Sequence, residues 1–295
     1  MDAISRLKER QEAVVLAHNY QDAAVQEVAD LVGDSLELSR AAAELDCKAI
    51  VFAGVDFMAQ TAAILSPEKR VVLTVANATC PMAHMIKAKD LRATKLLHPE
   101  AGVVCYVNST ADVKAESDIC CTSANGVEVV NSMEQDQIIF VPDRNLAAFV
   151  ARHTSKEIIP GNGFCYAHDQ FTADMVREAK AKHPNAVVLV HPECRAEVID
   201  LADAVCSTSG MIREAQASDA QEFIIGTEVG MLHPLRAKMP GKEFHPLFTK
   251  AICHDMKKTD LSRVRQALET LEPRVVVPEP VASKARVAIQ RMLDL

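Results

Sequence analysis

Three cysteines, Cys80, Cys165 and Cys253, stand 85 and 88 residues apart in a chain of 295. Thiolates brought together by three similar units suit a cubane iron–sulfur cluster, in which cysteine is the ordinary protein ligand and one iron without a protein ligand stays open to substrate or water. Zinc is the chief competitor, because His84, His168 and His254 lie near these cysteines in sequence. Structural zinc, however, usually takes a fourth Cys or His and often has a close CxxC pair, which the chain lacks. The absence of a CxxCxxC run likewise disfavours a ferredoxin-like electron carrier. Cys47, Cys105, Cys120, Cys121, Cys194 and Cys206 have no partners at this spacing, and each reads as a small, buried apolar side chain.

Other polar residues recur at the same step. Ser35, Ser123 and Thr208 are separated by 88 and 85 residues, and Asp56, Asp143 and Glu228 by 87 and 85. The segment Leu16–Tyr20 falls on Cys105–Ser109 and on Leu189–Cys194, so that His18, Asn19 and Tyr20 match Tyr106 and Asn108, and then His191 and Glu193. A hydroxyl at a helix start most simply caps it, but three at matched positions also suit a shared pocket for carboxylates.

Such matching requires repeated elements. Short apolar, β-branched runs at Ala13–Ala17, Ala49–Ala53, Val71–Val75, Val103–Val107, Ile138–Val141, Glu157–Ile159, Val187–Val190 and Phe223–Ile225 read as strands. Helical patterns at Asp22–Val32, Ser35–Leu45, Asp56–Leu65, Thr172–Lys182 and Met231–Met239 alternate with them. That alternation predicts an α/β fold of small parallel sheets covered by helices, and the near-constant offsets predict three α/β/α sandwich domains around a pseudo-threefold axis. The boundaries expected are 1–86, 87–170 and 171–256, with 257–295 packing back on the first unit. Ligands of open parallel sheets bind beyond the carboxyl ends of the strands, which places the active site on the central axis.

Composition excludes several classes. A net charge of −8, from 32 basic and 40 acidic residues, offers no footprint for nucleic acid or an anionic membrane. Nine cysteines without dense spacing argue against a secreted disulfide framework. The charged N-terminus has no apolar h-region, and no apolar run approaches a membrane span. A cytoplasmic protein is expected.

The longer motifs are specific. HNY at 18–20, GDSLELSR at 33–40, YVNSTADVKAESD at 106–118, CTSANG at 121–126, HPEC at 191–194, STSGM at 207–211 and GTEVGMLHPL at 226–235 resemble the quinolinate synthases of bacterial and archaeal NAD biosynthesis, the NadA family. The resemblance covers essentially the whole chain. It implies a [4Fe–4S] cluster on Cys80, Cys165 and Cys253 with one open iron acting as Lewis acid. It also implies condensation of iminoaspartate with dihydroxyacetone phosphate to quinolinate, phosphate and two waters, and transient contact with the enzyme that supplies iminoaspartate. Glu193, paired with His191, is then the expected base, and Tyr20 and Tyr106 the proton donors or acceptors. His18, Ser35, Tyr106, Asn108, Ser123, His191, Glu193 and Thr208 would hold substrate. Two other readings use the same cysteines: an iron–sulfur hydro-lyase for another hydroxyacid, and a non-catalytic redox sensor.

Overall fold

The computed structural model describes residues 2–295. The first sheet contains β1 (Ala13–His18), β2 (Leu31–Gly33), β3 (Ala49–Ala53) and β4 (Arg70–Leu73). The second contains β5 (Gly102–Tyr106), β6 (Ile119–Cys121), β7 (Gln137–Val141) and β8 (Glu157–Pro160), and the third β9 (Val187–Val190), β10 (Ala204–Val205), β11 (Glu222–Gly226) and β12 (Glu243–Pro246). All pairings within the sheets are parallel. Their orders, β2-β1-β3-β4, β6-β5-β7-β8 and β10-β9-β11-β12, are one topology used three times. The expected α/β class and its three small parallel sheets are therefore present.

Central strands are buried along their length: β3 and β5 have every residue buried, and β7 all but Gln137. That explains why they read as unbroken apolar runs rather than alternating ones. In each unit the chain runs from the first strand outward to the second, then crosses to the third on the other side. The switch point between the first and third strands opens a crevice at their carboxyl ends.

Four short strands, β2, β6, β10 and β12, were not expected. The helix expected over Asp22–Val32 spans only Ala23–Val28, because the chain turns at Ala29–Asp30 into β2. The turn is held by a reciprocal pair: Asp30 accepts the Val15 N–H at 2.8 Å, and its own N–H donates to Val15 O at 2.9 Å. Asp118 does the same with Val103, and Asp203 with Val188. These aspartates again lie 88 and 85 residues apart. A latch from the first strand to the start of the second is thus part of each unit.

The C-terminal segment divides instead of returning as a whole to the first unit. Helix Leu261–Thr270 packs on helix Asp2–Gln11 and on β3, whereas helix Glu279–Leu293 packs across β6, helix Ala111–Lys114 and helix Asp56–Leu65. Between them the Val275 N–H donates to Val71 O beside β4, at 2.8 Å. No helix among the described residues is long and apolar enough to cross a membrane.

Candidate active site

The carboxyl ends of the three sheets face one cavity. It is lined by His18, Tyr20, Ser35, Cys80, Tyr106, Asn108, Ser123, Cys165, His191, Glu193, Thr208 and Cys253, all the site residues expected from sequence, together with Asp34, Met58, His168 and Met256. Each unit contributes alike: polar residues after its first strand, a hydroxyl after its second and a cysteine after its fourth.

The hydroxyls at the helix starts are not the caps. Helix Ser35–Glu44 is capped by Asp34, which accepts the Leu36 and Glu37 N–H groups and completes a capping box with Glu37. Helix Thr208–Ala217 is capped by Ser207, whose Oγ accepts from Gly210 at 3.1 Å. Helix Gly126–Ser132 begins after Asn125, leaving Ser123 in the preceding turn. With capping done elsewhere, Ser35, Ser123 and Thr208 line the cavity. Thr208 Oγ1 also accepts from Asn19 Nδ2 at 2.9 Å, and Ser207 Oγ donates to Asp34 Oδ2 at 3.2 Å, so the first and third units are joined here.

The two imidazoles after the first strands are held alike. His18 Nδ1 accepts the Tyr20 N–H at 3.1 Å, and His191 Nδ1 accepts the Glu193 N–H at 3.3 Å. Each ring therefore carries its proton on Nε2. Burial lowers both to about 3, leaving them neutral donors at pH 7.

Glu193 is the anionic centre. Burial favours its neutral form but is outweighed by its surroundings, His168 foremost, which bring it down to about 2. His168 Nδ1 is the tighter partner, at 2.7 Å from Glu193 Oε2; His191 Nδ1 stands at 3.5 Å. The expected Glu193–His191 pair is thus a secondary contact. From His168 the chain of bonds continues, Nε2 to Thr227 Oγ1 at 2.8 Å and Thr227 Oγ1 to Tyr20 Oη at 2.6 Å. The Tyr106 phenol lies in the electrostatic reach of Glu193. Burial, then Glu193, raise both Tyr20 and Tyr106, so both phenols keep their protons. Two buried atoms of the lining, Glu193 Oε1 and Asn108 Oδ1, have no partner within the protein. Unsatisfied polar atoms in an enclosed cavity are ligand contacts in waiting.

The cysteines fit a metal cluster. Cys80, Cys165 and Cys253 are free thiols, and Cys165 lies in the electrostatic reach of both others. Burial pushes all three up, and at Cys165 the neighbouring Glu193 adds to it. Thiols so buried become thiolates only when a cation takes the protons' place. Zinc is poorly served: His168 spends both ring nitrogens on protein partners, His84 is bonded to Asp56 at 2.9 Å, and His254 is an exposed ring stacked on Tyr166. Cys165, His168 and Glu193 also lie within 4.8 Å of one another, a closeness their hydrogen bonds account for.

Comparison with known proteins agrees in every part of the chain. A family model described as quinolinate synthetase A protein matches residues 2–294. The chain is 60% identical over 294 residues to a quinolinate synthase of Methanoregula boonei, an alignment that covers all of this chain and 97% of that one. It is 51% identical over 294 residues to quinolinate synthase 2 of Methanosarcina acetivorans, covering all of this chain and 95% of that one. A quinolinate synthase of Desulforudis audaxviator is 52% identical over 293 residues, 99% of this chain and 97% of its own.

Proposed function

Since the chain belongs to the quinolinate synthetase A family and is an enzyme of quinolinate synthesis, we propose that it condenses iminoaspartate with dihydroxyacetone phosphate in this cavity, releasing quinolinate, phosphate and two waters. The observation that carries this reading is the meeting of three free thiols with the unpartnered Glu193 Oε1 and Asn108 Oδ1 in one enclosed lining. Cys80, Cys165 and Cys253 would hold a [4Fe–4S] cluster. When bound, it supplies a Lewis-acidic iron without a protein ligand, which suits loss of a hydroxyl.

The chain's own residues supply recognition and proton handling. Neutral His18 and His191 offer Nε2–H donors to carboxylates, and Ser35 and Thr208 present hydroxyls at the positive ends of ten-residue helices. Asn108 can complete the hold on a dicarboxylate by donating from its amide nitrogen, while its free oxygen can accept from an N–H or hydroxyl of the substrate. Ionised Glu193 takes a proton from carbon next to the carbonyl or imine, while Tyr20 and Tyr106 donate to leaving or developing oxygens. The His168–Thr227–Tyr20 chain links those two roles and can return a proton between steps. The enclosed lining keeps water from the imine, which water would hydrolyse.

The test is anaerobic turnover of iron-reconstituted protein with both substrates, with quinolinate, phosphate and bound iron measured in the same sample. Quinolinate and phosphate formed in equal amounts support the reading. Iron-loaded protein that yields no quinolinate yet dehydrates another hydroxyacid, or that catalyses nothing, overturns it.

A further inference from the structure

The recurrent carboxylates Asp56, Asp143 and Glu228 lie just beyond the third strand of each unit, outside the roles assigned above. Each meets the main chain of the cysteine in its own unit. Asp56 Oδ1 accepts the Cys80 N–H at 3.1 Å, and Glu228 Oε1 accepts the Cys253 N–H at 3.2 Å. In the second unit the Asp143 carboxylate lies beside the Cys165 main chain, but its Oδ2 has no hydrogen-bond partner.

A second bond accompanies each of these. Asp56 N–H donates to Ala78 O at 2.9 Å, Arg144 N–H to Gly163 O at 2.9 Å, and Val229 N–H to Ala251 O at 3.0 Å. The three acceptors stand two residues before Cys80, Cys165 and Cys253. A carboxylate and a main-chain N–H from the third-strand loop thus grip the Cys80 and Cys253 loops at two adjacent points, and the main-chain bond alone recurs at the Cys165 loop.

The carboxylates are themselves anchored. Asp56 bonds the Phe57 N–H and His84; Asp143 bonds the Asn145 and Leu146 N–H groups at 2.8 and 2.7 Å; Glu228 bonds the Gly230 N–H at 2.7 Å and Lys257 at 3.3 Å. The side chains of Asp143 and Glu228 are fully buried. An acceptor held so firmly fixes the group that donates to it.

We propose that Asp56 and Glu228 are positioning residues: they clamp the main chains of Cys80 and Cys253 so that the thiols converge before iron arrives. The proposal rests on the reading of Cys80, Cys165 and Cys253 as cluster ligands. Hydrogen bonds to sulfur and nearby charge are among the levers on a cluster's reduction potential. The negative charge of Asp56 beside Cys80 would make a cluster held there harder to reduce, which suits a site whose iron is to act as an acid and not as an electron carrier.

The test uses Asp56→Ala, which removes the clamp from Cys80, and Asp56→Asn, which keeps an acceptor oxygen. In the metal-free protein, amide exchange at Cys80 is expected to quicken about tenfold in Asp56→Ala and much less in Asp56→Asn. In anaerobically reconstituted protein, Asp56→Ala is expected to lose iron to a chelator about tenfold faster than the parent, with Asp56→Asn between them, and to have a higher reduction potential. Glu228→Ala read at Cys253 provides a second, separate trial, so that a folding failure at one position leaves the other decisive. Exchange and iron loss at the parent's rates in a folded alanine variant overturn the proposal. A parent that never retains iron sinks the cluster reading, and amide exchange then still decides whether the clamp exists.

Discussion

His168 Nδ1 stands 2.7 Å from Glu193 Oε2, with both side chains buried. One residue follows Cys165 on the short helix Tyr166–Asp169, and the other lies in the loop after β9. The carboxylate of the third unit is therefore kept ionised by an imidazole from the second. A carboxylate held as low as about 2 is a weak base on its own, so the base role proposed for Glu193 calls on His168 to pass an accepted proton on.

Replacing Glu193 by glutamine is expected to leave the iron content and the binding of quinolinate intact, while lowering quinolinate formation by about 10²–10⁴-fold, the usual scale for loss of a general base. The measurement is anaerobic turnover normalised to iron. Turnover within about threefold of the parent would move the base to Tyr20 or Tyr106.

His18 and His191, both lowered to about 3 against an ordinary 6.5, are expected to show no protonation between pH 8 and 5. The sign follows from linkage: the unfolded chain takes up protons near pH 6.5 that the folded rings refuse, so their contribution to stability is present above that pH and is lost as pH falls toward 3. Buried Asp143 and Glu228, raised in the fold, work in the opposite sense, so ring chemical shifts by NMR are the cleaner reading than a melting curve. A ring titrating near 6.5 would contradict the buried, neutral assignment.

Cys165→Ala, and equally Cys80→Ala or Cys253→Ala, is expected to abolish stable iron binding and activity. Cys47→Ser, in the loop that enters β3 and outside the cavity lining, is expected to leave the visible absorbance of the reconstituted protein unchanged. Full iron retention in Cys165→Ala would refute the three-ligand reading.

Asp34→Ala removes the cap of helix Ser35–Glu44 and the acceptor of Ser207 Oγ. A lost cap costs about 1 kcal/mol, with 2 as the upper end. Thermal unfolding should begin a few degrees lower, and an unchanged Tm would show that the first and third units are held together elsewhere.

The repeat made much of this site readable before any coordinates. A residue type that recurs at one step along the chain must recur at one place in each unit, which brought Ser35, Ser123, Thr208 and the three cysteines to a common centre. The same reasoning could not reveal His168 as the partner of Glu193. Three residues after their cysteines the other units carry Ala83 and Met256, so His168 breaks the pattern, and sequence placed it only as an alternative ligand for zinc. Thr227 escaped for a related reason: a lone hydroxyl after a strand has no signal of its own, and its meaning lies in contacts to Tyr20 and His168, residues 207 and 59 positions away.

Strands divided along physical lines. Those buried on both faces, such as β3 and β7, announce themselves as apolar runs. The edge strands β2, β6 and β10 have two or three residues, too few for a period, and are placed by the Asp30, Asp118 and Asp203 latches instead. The aspartates themselves were visible at the repeat step, but nothing local marks an aspartate as a latch.

Helix Glu279–Leu293, the last fifteen-residue element, lies over the edge strand β6 and over helices of both the first and second units. During synthesis the first two units leave the ribosome long before the residues that cover them. Their apolar flank stays bare until Glu279–Leu293 has been made, and the docking of that helix is the event that seals it. A chain cut off before Glu279 would therefore still contain Cys80, Cys165 and Cys253 but expose a sticky seam, and such chains would be prone to aggregation or proteolysis.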